Sequence, residues 1–180
     1  ALNHLDLYIG ICKLFRKKWQ KMFKVVDNFL DEQYFKEIKD TISSFDFPWF
    51  YTDFISDEND PKDYYYFMHL FYQANHENSN YYHIWNKFLQ KIECKAIIRI
   101  KANMYMNVGK KRKHKKHTDY PYPHKGCLLY INDNDGDTFF EKENVQAKAN
   151  RVVFFDPSKP HSSSCCTDQK RRLTVNFNYF

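Results

Sequence analysis

Residues 125–155 read KGCLLYINDNDGDTFFEKENVQAKANRVVFF, a series of short apolar or alternating runs separated by turn-forming residues. Period-two alternation in short runs bounded by Asn, Asp and Gly is typical of β-strands. Many short strands joined by tight turns predict a mainly β, α+β domain built as a double-sheet jelly roll, also called a double-stranded β-helix. The runs are Lys125 to Ile131, Thr138 to Glu141, Val145 to Ala149, Arg151 to Phe155 and, after a turn at Asp156-Pro157-Ser158, Leu173 to Phe180.

Three potential metal ligands flank this β-rich segment. His117-Thr118-Asp119 precedes it and His161 follows it. In an extended strand alternate side chains project to one face, so His117 and Asp119 can hold one ion together while a distant residue supplies the third ligand. Two imidazoles and one carboxylate, with the other coordination positions left open, form the facial triad of non-haem Fe(II) oxygenases. The pattern therefore predicts an iron site.

The ordered set of motifs resembles the Fe(II)/2-oxoglutarate-dependent dioxygenases, in particular the small prolyl-4-hydroxylase-like branch met in microbes and their viruses. The family usually has a Gly-Gly turn where this chain has Gly136-Asp137, so an unusual turn geometry is expected at Asp137. The resemblance implies a hydroxylase that uses Fe(II), 2-oxoglutarate and O₂, with ascorbate in support, and that acts on a peptidyl, prolyl-type residue. It covers about Ile98 to Phe180 and rests on His117–Asp119, Leu128–Asn132, Gly136–Phe140, Asn150–Phe155, His161 and Arg172–Asn178.

The last predicted strand carries the expected anchor for 2-oxoglutarate. A buried carboxylate needs a paired partner, and the planar fork of arginine meets it bidentately. Arg172, Thr174 and Asn176 form a polar strand face, whereas the face of Arg171 and Leu173 is mainly apolar. The polar face predicts Arg172 as the anchor, although a register slip of one residue would exchange it with Arg171. The resemblance agrees with Arg172.

Further residues are predicted to line the pocket. The resemblance implies that Tyr130 donates its hydroxyl to the same carboxylate and that Tyr105 faces the iron and the substrate. Thr174 and Asn176 belong to the polar face and are predicted to line the catalytic pocket. The family tends to place a flexible substrate-covering loop upstream of the iron motif, which makes Tyr64 to Tyr66 a candidate segment for substrate contact, through Tyr64 and Tyr66.

One strong run of positive charge, Lys110 to Lys116, directly precedes the first predicted ligand. In one interpretation it holds nucleic-acid phosphates while a base reaches the iron, as in alkylation-repair dioxygenases. In the other it is a solvated loop or contacts an acidic protein. The net charge of +6 with 22 acidic residues favours a protein or small-molecule substrate. The residues with predicted substrate contact are Lys110, Lys111, Arg112 and Lys113.

The first half of the chain is predicted to be helical scaffold. Residues 1–22 carry apolar side chains at steps of three and four, which predicts an amphipathic helical extension that covers a sheet or, alternatively, lies on a membrane surface. Phe23 to Leu30 is predicted to open a single dioxygenase domain, residues 23–180, whose iron and cosubstrate core is residues 98–180. Asp31 is expected to cap a helix through about Ser43, and a second helix is predicted from about Asn80 to Ile92. These helices are expected to brace one sheet from outside.

Cysteine content and hydropathy set the remaining bounds. The five cysteines form no C-x-x-C pair. Reduced thiols in a cytoplasm are therefore expected. The resemblance implies the cytoplasm of a microbe or of a virus-infected host cell. No apolar run is long enough for a transmembrane helix. Two other functions stay open: an oxidative demethylase or hydroxylase acting on nucleic acid, and a non-catalytic jelly-roll module whose triad holds another metal such as Zn²⁺.

Overall fold

The computed structural model describes residues 23–62 and 64–180, which form eleven β-strands, two α-helices and one short 3-10 helix. The predicted helical extension, residues 1–22, lies outside the described residues. The helices are α1 (Glu32–Ser43) and α2 (Asn86–Lys91), with the 3-10 helix at Tyr82–Trp85. The strands are β1 (Phe23–Val26), β2 (Phe50–Thr52), β3 (Tyr66–Gln73), β4 (His76–Glu77), β5 (Ile97–Met106), β6 (Lys125–Tyr130), β7 (Asp137–Phe139), β8 (Asn144–Gln146), β9 (Val152–Phe155), β10 (Ser162–Ser163) and β11 (Arg171–Tyr179).

The strands form two antiparallel sheets. The large sheet has the order β1-β9-β6-β11-β5-β3-β2, with β4 paired to β3, and the small sheet has the order β10-β7-β8. Side chains of the large sheet reach the small one, since the Tyr130 hydroxyl and the Arg172 guanidinium both donate to Thr138 Oγ1 on β7. The fold is therefore mainly β with two layers of sheet, as in a jelly roll. The strands predicted between residues 125 and 180 are all present, and none of their ends is shifted by more than three residues.

Residue alternation along β11 separates the two faces of the large sheet. Leu173, Val175 and Phe177 project to the outer face, where Phe177 stacks on Phe88 of α2 with ring centroids 4.2 Å apart. Arg172 and Asn176 project to the inner face, towards the small sheet. Buried residues of both helices and of the outer face form one hydrophobic core. The polar side chains of the inner face are therefore available for a functional site.

The first helix begins where the sequence predicts. Asp31 is its N-cap, and the Asp31 carboxylate accepts a hydrogen bond from the Tyr34 backbone N–H at 2.9 Å. Such a side chain satisfies one of the backbone donors that a helix start leaves free. Phe35, Ile38 and Ile42 then recur at steps of three and four and are buried. The helix is amphipathic, and its apolar side belongs to the main core.

The second predicted helix is divided into a 3-10 turn and a short α-helix. In an uninterrupted α-helix the Phe88 N–H would donate to the Ile84 carbonyl. Instead the Tyr34 hydroxyl lies between them, accepting from Phe88 N at 3.1 Å and donating to the Ile84 carbonyl at 2.5 Å. A side chain inserted into the backbone ladder changes the helix locally. A tertiary contact from α1 therefore explains the division.

Candidate metal centre

His117 and His161 are brought together by a short antiparallel bridge. The His117 N–H donates to the His161 carbonyl at 2.9 Å, and the His161 N–H donates to the His117 carbonyl at 3.0 Å. The Asp119 N–H donates to the Pro157 carbonyl at 2.9 Å, which continues the pairing. One potential ligand atom from each of His117, Asp119 and His161 lies within 4.8 Å of the other two. Two imidazole nitrogens and one carboxylate oxygen are the donor set of a non-haem Fe(II) facial triad, so the residues fit that metal.

The two imidazoles are prepared to act as ligands. His161 Nδ1 is 2.9 Å from the Lys159 carbonyl, and since a carbonyl only accepts, Nδ1 carries the proton and Nε2 is left with its lone pair. Burial, together with the charge of His161, lowers the pKa of His117 to about 4, against the opposing charge of Asp119. His117 is therefore neutral at pH 7, as a metal ligand must be.

Asp119 is fixed by two side chains of the large sheet. The Arg99 guanidinium donates to Oδ1 at 2.9 Å, and the Asn176 amide donates to Oδ2 at 3.1 Å. Burial alone would raise the pKa of Asp119, but the charges of Arg99, His161 and His117 and the bond from Asn176 lower it to about 2. Two hydrogen bonds leave lone pairs on the carboxylate for a metal.

Arg99 was missed by the sequence analysis, although one signal was present. Arg99 and Lys101 alternate with the apolar Ile98, Ile100 and Ala102 along β5. This pattern places charged side chains on one face of a central strand, where burial demands a partner. Such a charged face indicates a functional site on the same side of the sheet. Which partner it meets depends on the pairing of β5 with β11.

A cavity beside the triad contains the predicted cosubstrate anchor. Arg172 is fully buried between the rings of Tyr105 and Tyr130, with its guanidinium carbon 5.6 Å from each centroid. Its terminal nitrogens donate to the Ser164 carbonyl and to Thr138 Oγ1, and its Nε has no hydrogen-bond partner among the described residues. The cavity is lined by Asn103, Tyr105, His117, Leu128, Thr138, Phe155, His161, Ser162, Ser163, Arg172, Thr174 and Asn176.

The strand register places Arg172, and not Arg171, on the inner face. Arg171 lies on the other side of the sheet, where its guanidinium contacts Met104 Sδ at 3.6 Å and the Ser43 carbonyl at 3.4 Å. Thr174 and Asn176 line the cavity on the same face as Arg172. The structure thus brings together the three predicted ligands and the polar residues predicted on the last strand.

The two predicted tyrosines also lie at the cavity. The Tyr130 hydroxyl donates to Thr138 Oγ1 at 2.7 Å, on the atom that Arg172 also contacts. Tyr105 pairs with Arg172 in the register of β5 and β11, and its ring stacks on Tyr66 with centroids 5.6 Å apart. Asn103 Oδ1 and Ser162 Oγ, which the sequence analysis did not predict, line the same cavity. Neither atom has a partner among the described residues.

Gly136 is explained by a close approach and not by turn geometry. A Cβ at Gly136 would lie 2.5 Å from Arg172 Cδ, so only glycine leaves room for this side chain. The unusual turn expected at Asp137 is wrong, because Asp137 begins β7 and is not among the residues with positive φ. The Asp137 carboxylate instead pairs with Lys111 at 2.5 Å and accepts from the Asn144 amide.

The basic run is largely bound to the protein's own acids and rings. Lys111 pairs with Asp137, and Lys115 pairs with Asp60 at 3.2 Å. The Arg112 guanidinium lies 5.8 Å from the centroid of the Tyr64 ring, and Lys113 Nζ lies 4.0 Å from that of Phe139. Lys110 is exposed. The ion pairs therefore offset the charges of Lys111 and Lys115 within the run, and the ring contacts hold Arg112 and Lys113 without neutralising them.

The tyrosines predicted to lie in a substrate-covering loop have different positions. Tyr64 precedes β3, and its hydroxyl donates to the Lys113 carbonyl at 3.4 Å. Tyr66 is the first residue of β3 and is buried, so its predicted place in a flexible loop is wrong. Its ring packs on Tyr105 at the inner face. Among the described helices, none has the length and apolar character needed to cross a membrane.

The sequence matches no family model and no curated protein, but the fold resembles solved structures. A 2OG-Fe(II) oxygenase family oxidoreductase from Burkholderia pseudomallei aligns with a TM-score of 0.65 at 9% identity, over 99% of this chain and 92% of that one. A Pseudomonas putida prolyl-4-hydroxylase aligns with a TM-score of 0.57 at 10% identity, over 94% and 98%. A Trichoplax adhaerens prolyl hydroxylase, solved with a hypoxia inducible factor peptide, aligns with a TM-score of 0.55 at 11% identity, over 100% and 94%. The chain therefore has the fold of these oxygenases.

Proposed function

We propose that this chain is an Fe(II)- and 2-oxoglutarate-dependent oxygenase that hydroxylates its substrate. One observation carries the proposal: the His117, Asp119 and His161 triad and the buried Arg172 serve a single cavity. Arg172 has no carboxylate partner among the described residues, although a buried guanidinium strongly favours one. The far carboxylate of 2-oxoglutarate would supply that partner. A structural zinc site would need neither open coordination positions nor this arginine.

One group of residues would hold the metal, and a second group supports these ligands. His117, Asp119 and His161 would hold the iron, and Arg99 and Asn176 fix the orientation and charge of Asp119. When bound, the iron would supply O₂ activation coupled to the conversion of 2-oxoglutarate to succinate and CO₂, with the second oxygen atom inserted into a substrate C–H bond.

The anchor for the far carboxylate is a small network. Arg172 and Tyr130 both donate to Thr138 Oγ1, which holds the guanidinium and the phenol at one end of the cavity. The Arg172 side chain packs directly against the Gly136 backbone, which limits its movement. Leu128 and Phe155 add apolar walls that exclude water from the bound cosubstrate.

A peptidyl, prolyl-type residue is the proposed substrate class. Two proteins of this fold are a prolyl-4-hydroxylase and a prolyl hydroxylase solved with a peptide. The ion pairs of Lys111 and Lys115 with acidic residues of the chain disfavour the nucleic-acid alternative. Lys110, Lys111, Arg112, Lys113, Tyr64 and Tyr66 stay candidates for substrate contact.

The finer architecture belongs to the same proposal. Residues 23–180 would form a single catalytic domain, and α1 and α2, together with the predicted helix in residues 1–22, would brace the outer face of the large sheet. The described cysteines are free, including the adjacent Cys165 and Cys166, as expected in a reducing cytoplasm.

Succinate formation from 2-oxoglutarate tests the proposal, with Fe(II) and ascorbate present and no added substrate. The wild type should form succinate, His117→Ala should not bind the metal, and Arg172→Ala should require far more 2-oxoglutarate. Arg171→Ala is the matched control and should behave as the wild type, since Arg171 lies on the opposite face. Zn²⁺ binding without Fe(II)-dependent turnover would favour the non-catalytic module.

A further inference from the structure

Besides Arg172 and Arg99, a third cationic side chain lies on the inner face, well away from Arg172. Lys101 follows Arg99 at the next inner-facing position of β5, and its register partner on β11 is Asn176. Asn176 donates to Asp119, so Lys101 lies next to the metal centre. Arg172 is paired with Tyr105, roughly 13 Å further along the same strand. The inner face thus has Arg172 near one end and Arg99 with Lys101 near the other.

Lys101 has no carboxylate partner in residues 23–62 and 64–180. Its ammonium donates to the Tyr66 hydroxyl at 3.2 Å and lies 5.4 Å from the centroid of the Tyr66 ring. The nearby Asp119 carboxylate is already engaged by Arg99 on one oxygen and by Asn176 on the other. A lysine ammonium has three donors, so Tyr66 leaves part of this one unsatisfied.

The charge balance around Lys101 favours an incoming anion. Arg99 and Lys101 contribute two positive charges against the single carboxylate of Asp119, and a divalent metal would add more. Burial, with the charge of Arg99, lowers the pKa of Lys101 to about 8, while Asp119 opposes the shift. A partly desolvated ammonium without an anion is unfavourable, and a bound carboxylate would remove that penalty.

We propose that Lys101 binds a carboxylate of the primary substrate and thereby selects substrates with an anionic group close to the reacting carbon. The inference rests on the proposed function, since it places the substrate beside the metal. The 2-oxoglutarate carboxylate is held at the opposite end by Arg172, so the two acids do not compete for one anchor. Tyr66, packed on Tyr105, positions the ammonium. The substrate carries a carboxylate beside its target residue. In a peptide this would be an acidic neighbour of the prolyl-type residue, which keeps the proposed substrate class; in a free amino acid it would be the residue's own carboxylate, which would replace that class.

The test uses the full chain loaded with Co²⁺ and saturated with 2-oxoglutarate, titrated with acetate and with acetamide. Binding is followed by the visible absorption of the metal and by the ¹⁵N NMR signal of the Lys101 ammonium. Acetate should shift the ammonium signal, and acetamide should not. Lys101→Met should weaken acetate binding by about ten-fold or more, as expected for one charged hydrogen bond.

Two further variants separate binding from folding. Lys101→Arg keeps the charge and should retain most of the acetate affinity, and Lys125→Met, at an exposed lysine of β6, should match the wild type. The NMR signal of the wild type needs no variant, so it decides the question even if Lys101→Met does not fold. An unchanged ammonium signal in acetate, or acetate binding to Lys101→Met as tight as to the wild type, would overturn the proposal.

Matched probe pairs distinguish the two sources of the carboxylate. L-Proline against L-prolinamide tests a free amino acid, and acetyl-Pro-Asp-amide against acetyl-Pro-Asn-amide tests an acidic peptide. Preference for either acid, lost in Lys101→Met, supports the proposal and identifies the source. No preference in either pair contradicts it. Failure of the proposed function is a separate outcome, because the cobalt protein would then not bind 2-oxoglutarate at all.

Discussion

The two faces of the large sheet are made by the same strands and have opposite chemistry. On β11, Phe177 points outward into an aromatic core with Trp85 and Phe88, whereas its neighbour Asn176 points inward and donates to Asp119, a proposed metal ligand. The outer face contributes burial of apolar surface, and the inner face contributes paired charges and donors. The difference teaches that stability and chemistry can be changed separately at adjacent positions of one strand.

The comparison is tested most strongly at Phe177. Phe177→Ala removes a fully buried ring, stacked on Phe88, and should lower the free energy of unfolding by about 3 to 5 kcal/mol. The metal affinity of the molecules that remain folded should not change. Denaturant unfolding and Co²⁺ titration measure the two quantities. Phe180→Ala, at a half-exposed ring, is the control and should change stability little. A parallel loss of metal affinity would contradict the separation.

The adjacent residue should give the opposite result. Asn176→Ala leaves the Asp119 carboxylate held by Arg99 alone, and loss of such a supporting bond should weaken metal binding by about 10- to 100-fold. The free energy of unfolding should fall by no more than about 1 to 2 kcal/mol. Metal titration and urea unfolding of the same preparation check both values. If Asn176→Ala lowered the free energy of unfolding by more than it lowered the free energy of metal binding, the separation of the two faces would be contradicted.

Acid should lower the free energy of unfolding through His114, a buried histidine. Burial, with the charge of Arg172, lowers the pKa of His114 from 6.5 to about 3, so its neutral form is favoured by folding. As pH falls below 6.5 the unfolded chain takes up the proton first, and stability is lost until pH reaches about 3. Between pH 7 and 5 the wild type should therefore lose about 2 kcal/mol that His114→Gln does not lose.

Unfolding measured across pH, with the exposed His76→Gln as control, tests this prediction. The His76→Gln curve should run parallel to that of the wild type. Identical pH slopes for His114→Gln and the wild type would show that His114 is not the group responsible.

The smallest effect is expected at the helix division on the outer side. Tyr34→Phe removes the hydroxyl between the Ile84 carbonyl and the Phe88 N–H and should lower stability by about 1 kcal/mol. The freed groups can then bond to each other, which limits the loss. Hydrogen exchange at the Phe88 amide reports the change directly. A loss of metal affinity in this variant would again link the two faces.

Local sequence pattern was sufficient to predict structure wherever that structure depends on the residues of a single segment. Short apolar or alternating runs bounded by turn residues predicted β6, β9 and β11. The alternation of polar and apolar residues along β11 selected Arg172 over Arg171, because strand geometry sets which side chains share a face. The N-cap at Asp31 predicted the start of α1. Local pattern failed at Asp137, where the family's Gly-Gly turn suggested strained backbone and the real constraint is space for Arg172 beside Gly136.

The sequence by itself determined the strands between residues 125 and 180 that it predicted, the start of the first helix and the set of candidate metal ligands, since these depend on spacing over a few residues and on side-chain chemistry. Only the tertiary structure decided what each buried group meets. The pairing of β5 with β11 places Arg99 and Asn176 on one face, where both meet Asp119, and the fold of the basic run brings Lys115 to Asp60. Such partners are far apart in the chain, and strand register and packing bring them together. The periodicity of a single segment therefore cannot predict them.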